Sequence, residues 1–204
     1  MELILDGKNY NEIYEIEEIK GVNEDNIMEV LKDYISWINK EGRHLRYFYL
    51  DGKNVPELVT NPENILAFLK EAEVEKIELV SVAQGDIINE TISSVVDYLD
   101  KLISYTEELS RSIQAGTIPD KDSIIQLTDS LEWVYQATNG LIISLKDADL
   151  KDKVDDLQDV FGQIIYALRK DDYSSLGNIL EHELTEKLEA LKSLLDNILS
   201  ERKT

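Results

Sequence analysis

Few residues in this chain are of the types that carry out catalysis or hold metals. The 204 residues include two histidines, His44 and His182, and no cysteine. A di-iron helical bundle needs a glutamate three residues before a histidine on each of two helices, whereas Ile179 occupies that position before His182. Without cysteine, the chain has no disulfides, no thiolate catalysis and no Cys-ligated metal. We therefore interpret His182 as a solvated surface residue rather than a metal ligand.

One acidic segment has the composition of a calcium loop but not its spacing. The sequence is DADLKDKVDD over 147–156. Counted from Asp147, an EF-hand loop needs a carboxylate at its fifth position, glycine at its sixth and glutamate at its twelfth. The chain has Lys151, Asp152 and Gln158 at those positions. Capping of a helix N-terminus explains these aspartates better, so we expect no metal and no cofactor.

The sequence motifs that accompany nucleophilic catalysis and nucleotide binding are absent. The chain contains no G-x-S-x-G, no P-loop and no G-x-G-x-x-G, so it lacks the usual nucleophile turn and the glycine-rich phosphate loops. Paired carboxylates are common, but in so acidic a chain their adjacency indicates little. We expect no catalytic residue; the sequence leaves enzymatic activity uncertain while favouring its absence.

Aromatic side chains are the remaining candidates for a functional site. Tyr98 and Tyr105 are seven residues apart beside the apolar seam of one predicted helix, and Trp133 and Tyr135 flank the seam of the next. Such residues can simply widen a helical core. If they are exposed, they would form a groove for a partner protein, because aromatic side chains supply anchor energy at interfaces. We take these four residues as candidate partner-binding residues.

The net charge limits the class of partner. The chain carries 42 Asp and Glu against 21 Lys and Arg, a formal charge of −21, and the acidity extends over both halves. Such a surface repels nucleic acid and anionic membranes. It favours solubility, and it would also attract a basic partner, such as an amphipathic helix that carries lysine or arginine. We therefore expect another protein as the partner, and neither nucleic acid nor a membrane.

The first 85 residues alternate short strand and helix signals. Asn23 is a plausible N-cap for the first helix, and Asn61 followed by Pro62 has the pattern of a second helix start. The predicted elements are a strand at 2–5, a weaker strand at 14–19, a helix at 25–39, a strand at 45–50, a helix from 62 to about 72 and a strand at 76–82. This order predicts a small mixed α/β sheet module over 1–85, β-grasp-like or, alternatively, ferredoxin-like.

The pentapeptide LDGKN occurs twice, at 5–9 and at 50–54. Each copy follows a predicted strand, and Asp-Gly reverses the chain because both residues tolerate positive φ. The residues that flank the two copies do not match. The repeat therefore indicates one type of turn used twice. A lysine-bearing anion loop is the alternative, although it lacks the glycine-rich run that lets backbone amides converge on phosphate.

After Gly85 the hydrophobic period becomes helical. Helices are predicted over 87–115 and 121–146, a third is capped by Asp147 or Asp149, and a fourth begins near Tyr173. The seam of the first helix repeats as an unbroken heptad: Ile88, Ile92, Val95, Leu99, Leu102, Thr106, Leu109 and Ile113. Short connections between long helices favour antiparallel neighbours, which predicts an antiparallel four-helix bundle over 86–204. The same seams would also suit a homodimer.

Three glycines interrupt the predicted bundle helices: Gly140, Gly162 and Gly177. A glycine inside a helix costs about 1 kcal/mol relative to alanine, so each position needs a reason. Close packing of two helices, or a frayed first turn, is the interpretation that we favour. A kink beside a ligand pocket is the alternative.

The sequence DDYSSLGNILEHEL over 171–184 resembles the closing motif of a family of uncharacterised bacterial proteins. Those proteins also pair a small strand-helix module, which contains a V-D-G-like turn, with a C-terminal helical region. The Glu-Gly-Arg at 41–43, before the Asp51-Gly52 strand, fits the same outline. Gly177 and Asn178 depart from the more alanine- and acid-rich form of the motif. The family has no assigned activity, so the resemblance implies this architecture and a bacterial cytoplasmic protein.

These observations lead to one functional expectation and one alternative. The N-terminal MELILDGKNY has no signal-peptide pattern, and no segment approaches the ~20 apolar residues of a membrane span. We expect a non-enzymatic, cytoplasmic protein-interaction protein, adaptor or chaperone-like in type. The alternative is a small-molecule-binding or enzymatic protein with its site between the two modules, where pockets often form.

Overall fold

The computed structural model describes residues 1–10, 25–71 and 73–202 of the chain. They form two compact units, 1–87 and 88–204. The first unit contains a mixed sheet and short helices, and the second is helical, so the predicted α+β class is confirmed. The predicted strand at 14–19, the N-cap Asn23 and the predicted helix end at 72 lie outside the described residues.

The strands at 2–5, 45–50 and 76–82 and the two helices predicted for the first unit occur in the predicted order, and two short strands and one short helix are present in addition. Its elements are β1 (Glu2–Leu5), β2 (Lys8–Asn9), α1 (Ile27–Lys40), β3 (Arg43–Leu50), β4 (Lys53–Asn54), α2 (Pro56–Thr60), a 3₁₀ turn (Pro62–Asn64), α3 (Ile65–Glu71) and β5 (Lys76–Ala83). Asn61 is the N-cap residue of the 3₁₀ turn, with Pro62 in its first turn as predicted, although its side chain makes no capping hydrogen bond there. The short helix α2 was not predicted; it begins at Pro56, whose fixed φ suits a first helical position.

The described strands form one sheet in the order β2-β1-β5-β3-β4. β1 pairs with β5 in parallel, and β3 pairs with β5 antiparallel. A central parallel pair flanked by two antiparallel hairpins is the β-grasp-like arrangement; neighbouring strands in a ferredoxin-like sheet are all antiparallel. Alternate strand residues pack with the apolar face of α1, and the shared core includes Leu3, Phe48, Leu79, Leu31 and Ile38.

The two LDGKN copies are matched turns that fix the hairpins to opposite sides of β5. Asp6 and Asp51 have φ of 49° and 48°, and the following glycines have φ of 79° and 78°, as a type I′ turn requires. The Asp6 N–H donates to the Leu79 carbonyl at 2.9 Å, and the Asp51 N–H donates to the Lys76 carbonyl at 2.9 Å. The repeat is therefore one turn used twice, and both copies bind the same central strand.

The Asp6 carboxylate makes the more extensive set of hydrogen bonds. It accepts from the Ser81 N–H at 2.6 Å, the Ser81 hydroxyl at 2.7 Å and the Tyr34 hydroxyl at 2.9 Å. Arg43 donates to the Ser81 hydroxyl and carbonyl, both at 2.8 Å. Burial raises the pKa of the Tyr34 hydroxyl, and its bond to Asp6 acts in the same direction. The network links β1, α1, β3 and β5 at one end of the sheet.

The second unit consists of α4 (Gln84–Gln114, whose first turn belongs to the first unit), α5 (Lys121–Leu145), α6 (Ala148–Arg169), α7 (Tyr173–Asn178), a π-helical segment (Ile179–Leu184) and α8 (Thr185–Arg202). Side-chain contacts show that α4 and α5 are antiparallel. Tyr98 of α4 bonds Ser130 of α5, whereas Tyr105 bonds the carbonyl of Ser123, nearer the start of α5. The predicted antiparallel bundle is confirmed, with a fourth helix that is interrupted by the π segment.

Aspartates start three of these helices. Asp120, Asp147 and Asp172 each accept a bond from a backbone N–H three residues later, at 2.7, 2.9 and 3.0 Å. Backbone donors in the first turn hold the pKa of Asp120 and Asp172 below the usual aspartate value. The sequence prediction that Asp147 caps a helix is confirmed, and it accounts for the aspartate that opens the segment resembling a calcium loop.

The heptad seam of α4 is buried along its whole length. Its members are Ile88, Ile92, Val95, Leu99, Leu102, Thr106, Leu109 and Ile113, and none is more than 8% exposed. The seams of the other helices complete one apolar core, with Leu127, Leu131, Val134, Val154, Leu157, Leu180, Leu184 and Leu188 among its buried members. Burial of these side chains is the main source of stability for the unit.

The π segment follows from the spacing of the buried leucines. Leu176, Leu180, Leu184 and Leu188 are all buried and are separated by three consecutive steps of four residues. At about 100° per residue in an α-helix, three such steps drift by about 120° around the axis. The wider i→i+5 turns of a π-helix rotate the chain less per residue, and the segment Ile179–Leu184 therefore keeps these leucines facing the core.

Gly177 lies at a close approach between α4 and α7. An added Cβ would lie 3.1 Å from Cγ2 of Ile113, and the Ser110 hydroxyl donates to the Gly177 carbonyl at 3.0 Å. Close packing therefore explains this glycine. The same interpretation is wrong for Gly140 and Gly162, where an added Cβ would meet nothing within 4 Å.

We predict that Leu99→Asp destabilises the second unit by more than about 3 kcal/mol, because it buries a carboxylate without a partner. Leu99 is fully buried. Ile143→Asp is the matched control; Ile143 is 76% exposed, so its change stays within about 0.5 kcal/mol. Urea denaturation followed by far-UV circular dichroism measures both. Equal midpoints for the two variants would contradict the seam assignment.

We predict that Asp6→Ala destabilises the first unit by about 3 kcal/mol, because it leaves the Ser81 N–H and the Tyr34 hydroxyl unpaired and places alanine at positive φ. Asp51→Ala shares the backbone cost but loses only bonds from the exposed Glu75 and Lys76 N–H groups, so a loss of about 1–2 kcal/mol is expected. Urea denaturation followed by Trp37 fluorescence, in a Trp133→Phe background, compares them. A larger loss for Asp51→Ala would rule out the Asp6 network as the stronger attachment.

We predict opposite effects when the same methyl group is added at two helical glycines. Gly140→Ala raises stability by up to about 1 kcal/mol, since the helix gains propensity and the Cβ meets no neighbour. Gly177→Ala lowers the thermal midpoint, because the new Cβ presses on Ile113, a residue that is only 6% exposed. Thermal unfolding of both variants is the test. Equal rises would show that Ile113 moves aside without cost.

Candidate functional site

Tyr98 and Trp133 come together on the surface of the helical unit. Their ring centroids are 4.5 Å apart with the planes tilted by 50°, a separation at which aromatic pairs attract. The Tyr98 hydroxyl donates to the Ser130 hydroxyl at 2.8 Å, which fixes the tyrosine between α4 and α5. Trp133 remains 41% exposed. The pair therefore forms a held aromatic surface and not a part of the buried core.

An open groove of about 600 Å³ lies beside this pair, and we call it the α4–α5 groove. Tyr98 and Trp133 supply its aromatic wall, and Ile125 adds an aliphatic side chain that is 42% exposed. The charged side chains that line it are Asp122 and Asp129. The groove thus combines apolar surface with negative charge, a combination that suits an apolar ligand bearing cations.

Tyr105, the third predicted aromatic, has a structural position. It is partly buried against the bundle core, and its hydroxyl donates to the Ser123 carbonyl at 2.9 Å. Ser123 belongs to the first turn of α5. Tyr105 therefore ties α4 to the start of α5, and it is not among the residues that line the groove.

Tyr135, the fourth predicted aromatic, lies on the opposite side of α5 from Trp133. It is 37% exposed and lines a second depression, between α5 and α6, of about 240 Å³. We call this the α5–α6 cleft. Gln158 of α6 donates to the Tyr135 hydroxyl at 3.4 Å. Residues two apart on a helix do not face each other, so the sequence grouping of Trp133 with Tyr135 joins residues from two separate surfaces.

Two exposed residues of the α5 surface were missed by the sequence reasoning. They are Ile125, and Ile143 at 76% exposure. The signal was present: isoleucine and leucine form a pair at 124–125 and a run of three at 141–143, and a seam can bury only part of each run. A second missed feature is that α5 carries no Lys or Arg after Lys121 until Lys146, which ends it. The outward face of α5 is therefore apolar and acidic.

The histidine considered as a ligand is placed at the surface. The side chain of His182 is 71% exposed, and its Nε2 lies 3.4 Å from Oε2 of Glu181. Within residues 1–10, 25–71 and 73–202, no three His, Asp or Glu side chains converge as a set that could hold a metal ion.

No helix among the described residues is long and apolar enough to cross a membrane. No curated protein and no solved structure matches the chain. One family model matches the chain, over a region that covers most of the helical unit and both aromatic surfaces of α5. This match confirms the predicted membership of a family without an assigned function. The chain belongs to the family described as Domain of unknown function (DUF8042), whose model matches residues 90–194.

Proposed function

We propose that this protein is a non-enzymatic, cytoplasmic interaction protein, adaptor or chaperone-like, whose helical unit binds a basic amphipathic helix of another protein. The site is the α4–α5 groove. The observation that carries the proposal is Trp133, an indole that is 41% exposed yet held against Tyr98 in a groove whose charged residues are both acidic.

The Tyr98–Trp133 pair has the properties of a binding anchor. Tryptophan and tyrosine are enriched among the residues that dominate interface energies. Tyr98 is held by its bond to Ser130, so the Trp133 ring rests on a fixed neighbour before any partner arrives. Prior ordering reduces the entropy lost on binding. An aromatic pair of this kind supports recognition better than a mobile exposed side chain would.

The spacing of the exposed apolar residues on α5 suits a helical partner. Ile125, Trp133 and Ile143 are separated by eight and ten residues, or by about 12 and 15 Å along the helix. Gly140 lies between the last two, is exposed, and has no neighbour that excludes a side chain. Its helix-propensity cost of about 1 kcal/mol is therefore not offset by packing inside the chain. A glycine there allows the backbone of a partner helix to come close.

Charge selects the partner. Asp122 and Asp129 line the groove, and Glu132 lies on the next turn. Lysine or arginine on a partner helix would complement them, which mainly speeds encounter and sets specificity. Nucleic acid and anionic membranes would be repelled. A second copy of this chain would bring the same acidic surface, so charge disfavours a homodimer through this face.

The test uses a fluorescently labelled synthetic helix with leucine on one face and lysine on the other. We predict that Trp133→Ala weakens binding of this peptide by about 30-fold, corresponding to about 2 kcal/mol for a central anchor. Fluorescence anisotropy measures the Kd. Tyr166→Ala is the matched control, because Tyr166 is an aromatic residue of α6 that is 67% exposed and does not line the groove. It leaves the Kd unchanged.

Two further comparisons separate recognition from general charge attraction. A peptide with glutamate in place of lysine binds much more weakly, and the affinity of the lysine peptide falls with salt, since exposed charges are screened beyond about 8–10 Å at physiological ionic strength. Gly140→Ala weakens binding while raising stability. If Trp133→Ala and Tyr166→Ala bind the peptide equally well, the groove is not the site and the proposal fails.

A further inference from the structure

The α5–α6 cleft is a separate cavity whose wall is apolar on every side that faces the core. Leu131 and Val134 of α5 face Leu157 and Phe161 of α6 across it. The hydroxyls of its two threonines already donate hydrogen bonds within α5. Thr128 donates to the Ile124 carbonyl at 3.0 Å, and Thr138 donates to the Val134 carbonyl at 2.7 Å. The interior therefore favours an apolar occupant.

The polar groups of the cleft are concentrated in four exposed side chains. They are the carboxylates of Asp129 and Glu132, the hydroxyl of Tyr135 and the amide of Gln158, and no Lys or Arg of the described residues lines the cleft. Gln136 donates to Oε1 of Glu132 at 2.9 Å, which leaves the second carboxylate oxygen available. The Gln158–Tyr135 contact of 3.4 Å is long for a hydrogen bond. An incoming ammonium group would meet acceptors and no competing cation.

The size of the cleft limits the occupant to a small molecule or one large side chain. Its volume is about 240 Å³, whereas a cavity of about 150 Å³ lined by aliphatic and aromatic residues is enough for benzene. The difference leaves room for a two- or three-atom chain that carries a charged group to the rim. An unfilled apolar space forfeits dispersion contacts, and a larger residue at Val134 or Thr138 would be a simple way to close it.

We propose that the α5–α6 cleft binds a compact arylalkyl amine, with its ring between Leu131 and Phe161 and its ammonium group at Glu132 and Asp129. The volume and the apolar walls suit the ring, and the two carboxylates at the rim favour a cation over an anion. The cleft lies across α5 from Trp133, and Tyr135 and Phe161 line the cleft alone, whereas Asp129 borders both the cleft and the helix-binding groove.

The test is an NMR titration with three probes of similar body and different charge: 2-phenylethylamine, 2-phenylethanol and 3-phenylpropionate. We predict saturable shifts of backbone amides on both sides of the cleft for the amine, at least threefold weaker binding of the alcohol, and no saturable binding of the carboxylate. Glu132→Gln lowers the affinity for the amine at least threefold and leaves that for the alcohol unchanged. Glu108→Gln, which removes an exposed acid from α4 outside the cleft, is the control and changes neither.

Two variants locate the site. Leu157→Trp places an indole in the cleft and abolishes amine binding. The NMR spectrum of this variant shows whether it folds. If it does not fold, the Glu132→Gln variant still tests the proposal. Trp133→Ala leaves amine binding intact, which separates this cleft from the α4–α5 groove. The proposal is overturned if the three probes bind alike or none saturates. The proposal is also overturned if only the leucine–lysine helix shifts the resonances of the cleft amides, because the cleft then binds a side chain of a partner. It is overturned as well if a change in protein concentration alone shifts these resonances, because the cleft then binds a second copy of the chain.

Discussion

The helical unit depends on the burial of one continuous aliphatic seam. Leucine, isoleucine and valine fill the core positions of α4, α5, α6 and the α7–α8 segment, and the eight seam residues of α4 are all buried. The seam positions are occupied by these aliphatic side chains, and the larger aromatic rings are placed beside the seam. Tyr98, Trp133 and Tyr135 therefore reach the surface as a consequence of how the core is filled.

The same seam explains why the last helix departs from α geometry. Three consecutive four-residue steps would carry Leu188 away from the core if the helix were regular. The π segment absorbs this mismatch, and Gly177 brings the start of the same segment against Ile113 and Ser110. Burying the leucines outweighs the poorer hydrogen-bond geometry of wide turns. In the sheet unit, polar groups instead fix the positions of two short hairpins. The carboxylates of Asp6 and Asp51 accept hydrogen bonds from backbone N–H groups of β5 and hold the hairpins against it.

The sequence predicts the elements well where a single period or a strong cap decides them. The heptads and the aspartate caps give α5 as 121–146 against an observed Lys121–Leu145, and α4 as 87–115 against Gln84–Gln114. Composition alone does not predict the π segment. Its signal is the run of three consecutive four-residue steps between leucines, where a regular heptad would alternate steps of three and four. The two surfaces of α5 were merged because Trp133 and Tyr135 are close in sequence, although two residues rotate by about 200° around a helix. Asn61 occupies the predicted N-cap position, but the element that follows it begins as a 3₁₀ turn and the Asn61 side chain makes no capping bond.

The exposed side of α5 lowers the stability of the folded protein, and this loss of stability is the strongest structural argument for a binding role. The helix leaves Trp133 and Ile143 in water, keeps an unpacked Gly140, and borders an apolar cleft that one larger side chain would fill. Each feature lowers stability by an amount that a single substitution would recover, and proteins commonly keep such features where activity needs them. On the groove side Trp133 lies beside Asp122 and Asp129, and on the cleft side the apolar wall lies beside Asp129 and Glu132. A surface shaped by solubility alone would carry the charge without the exposed apolar groups, whereas recognition of an apolar cation requires both.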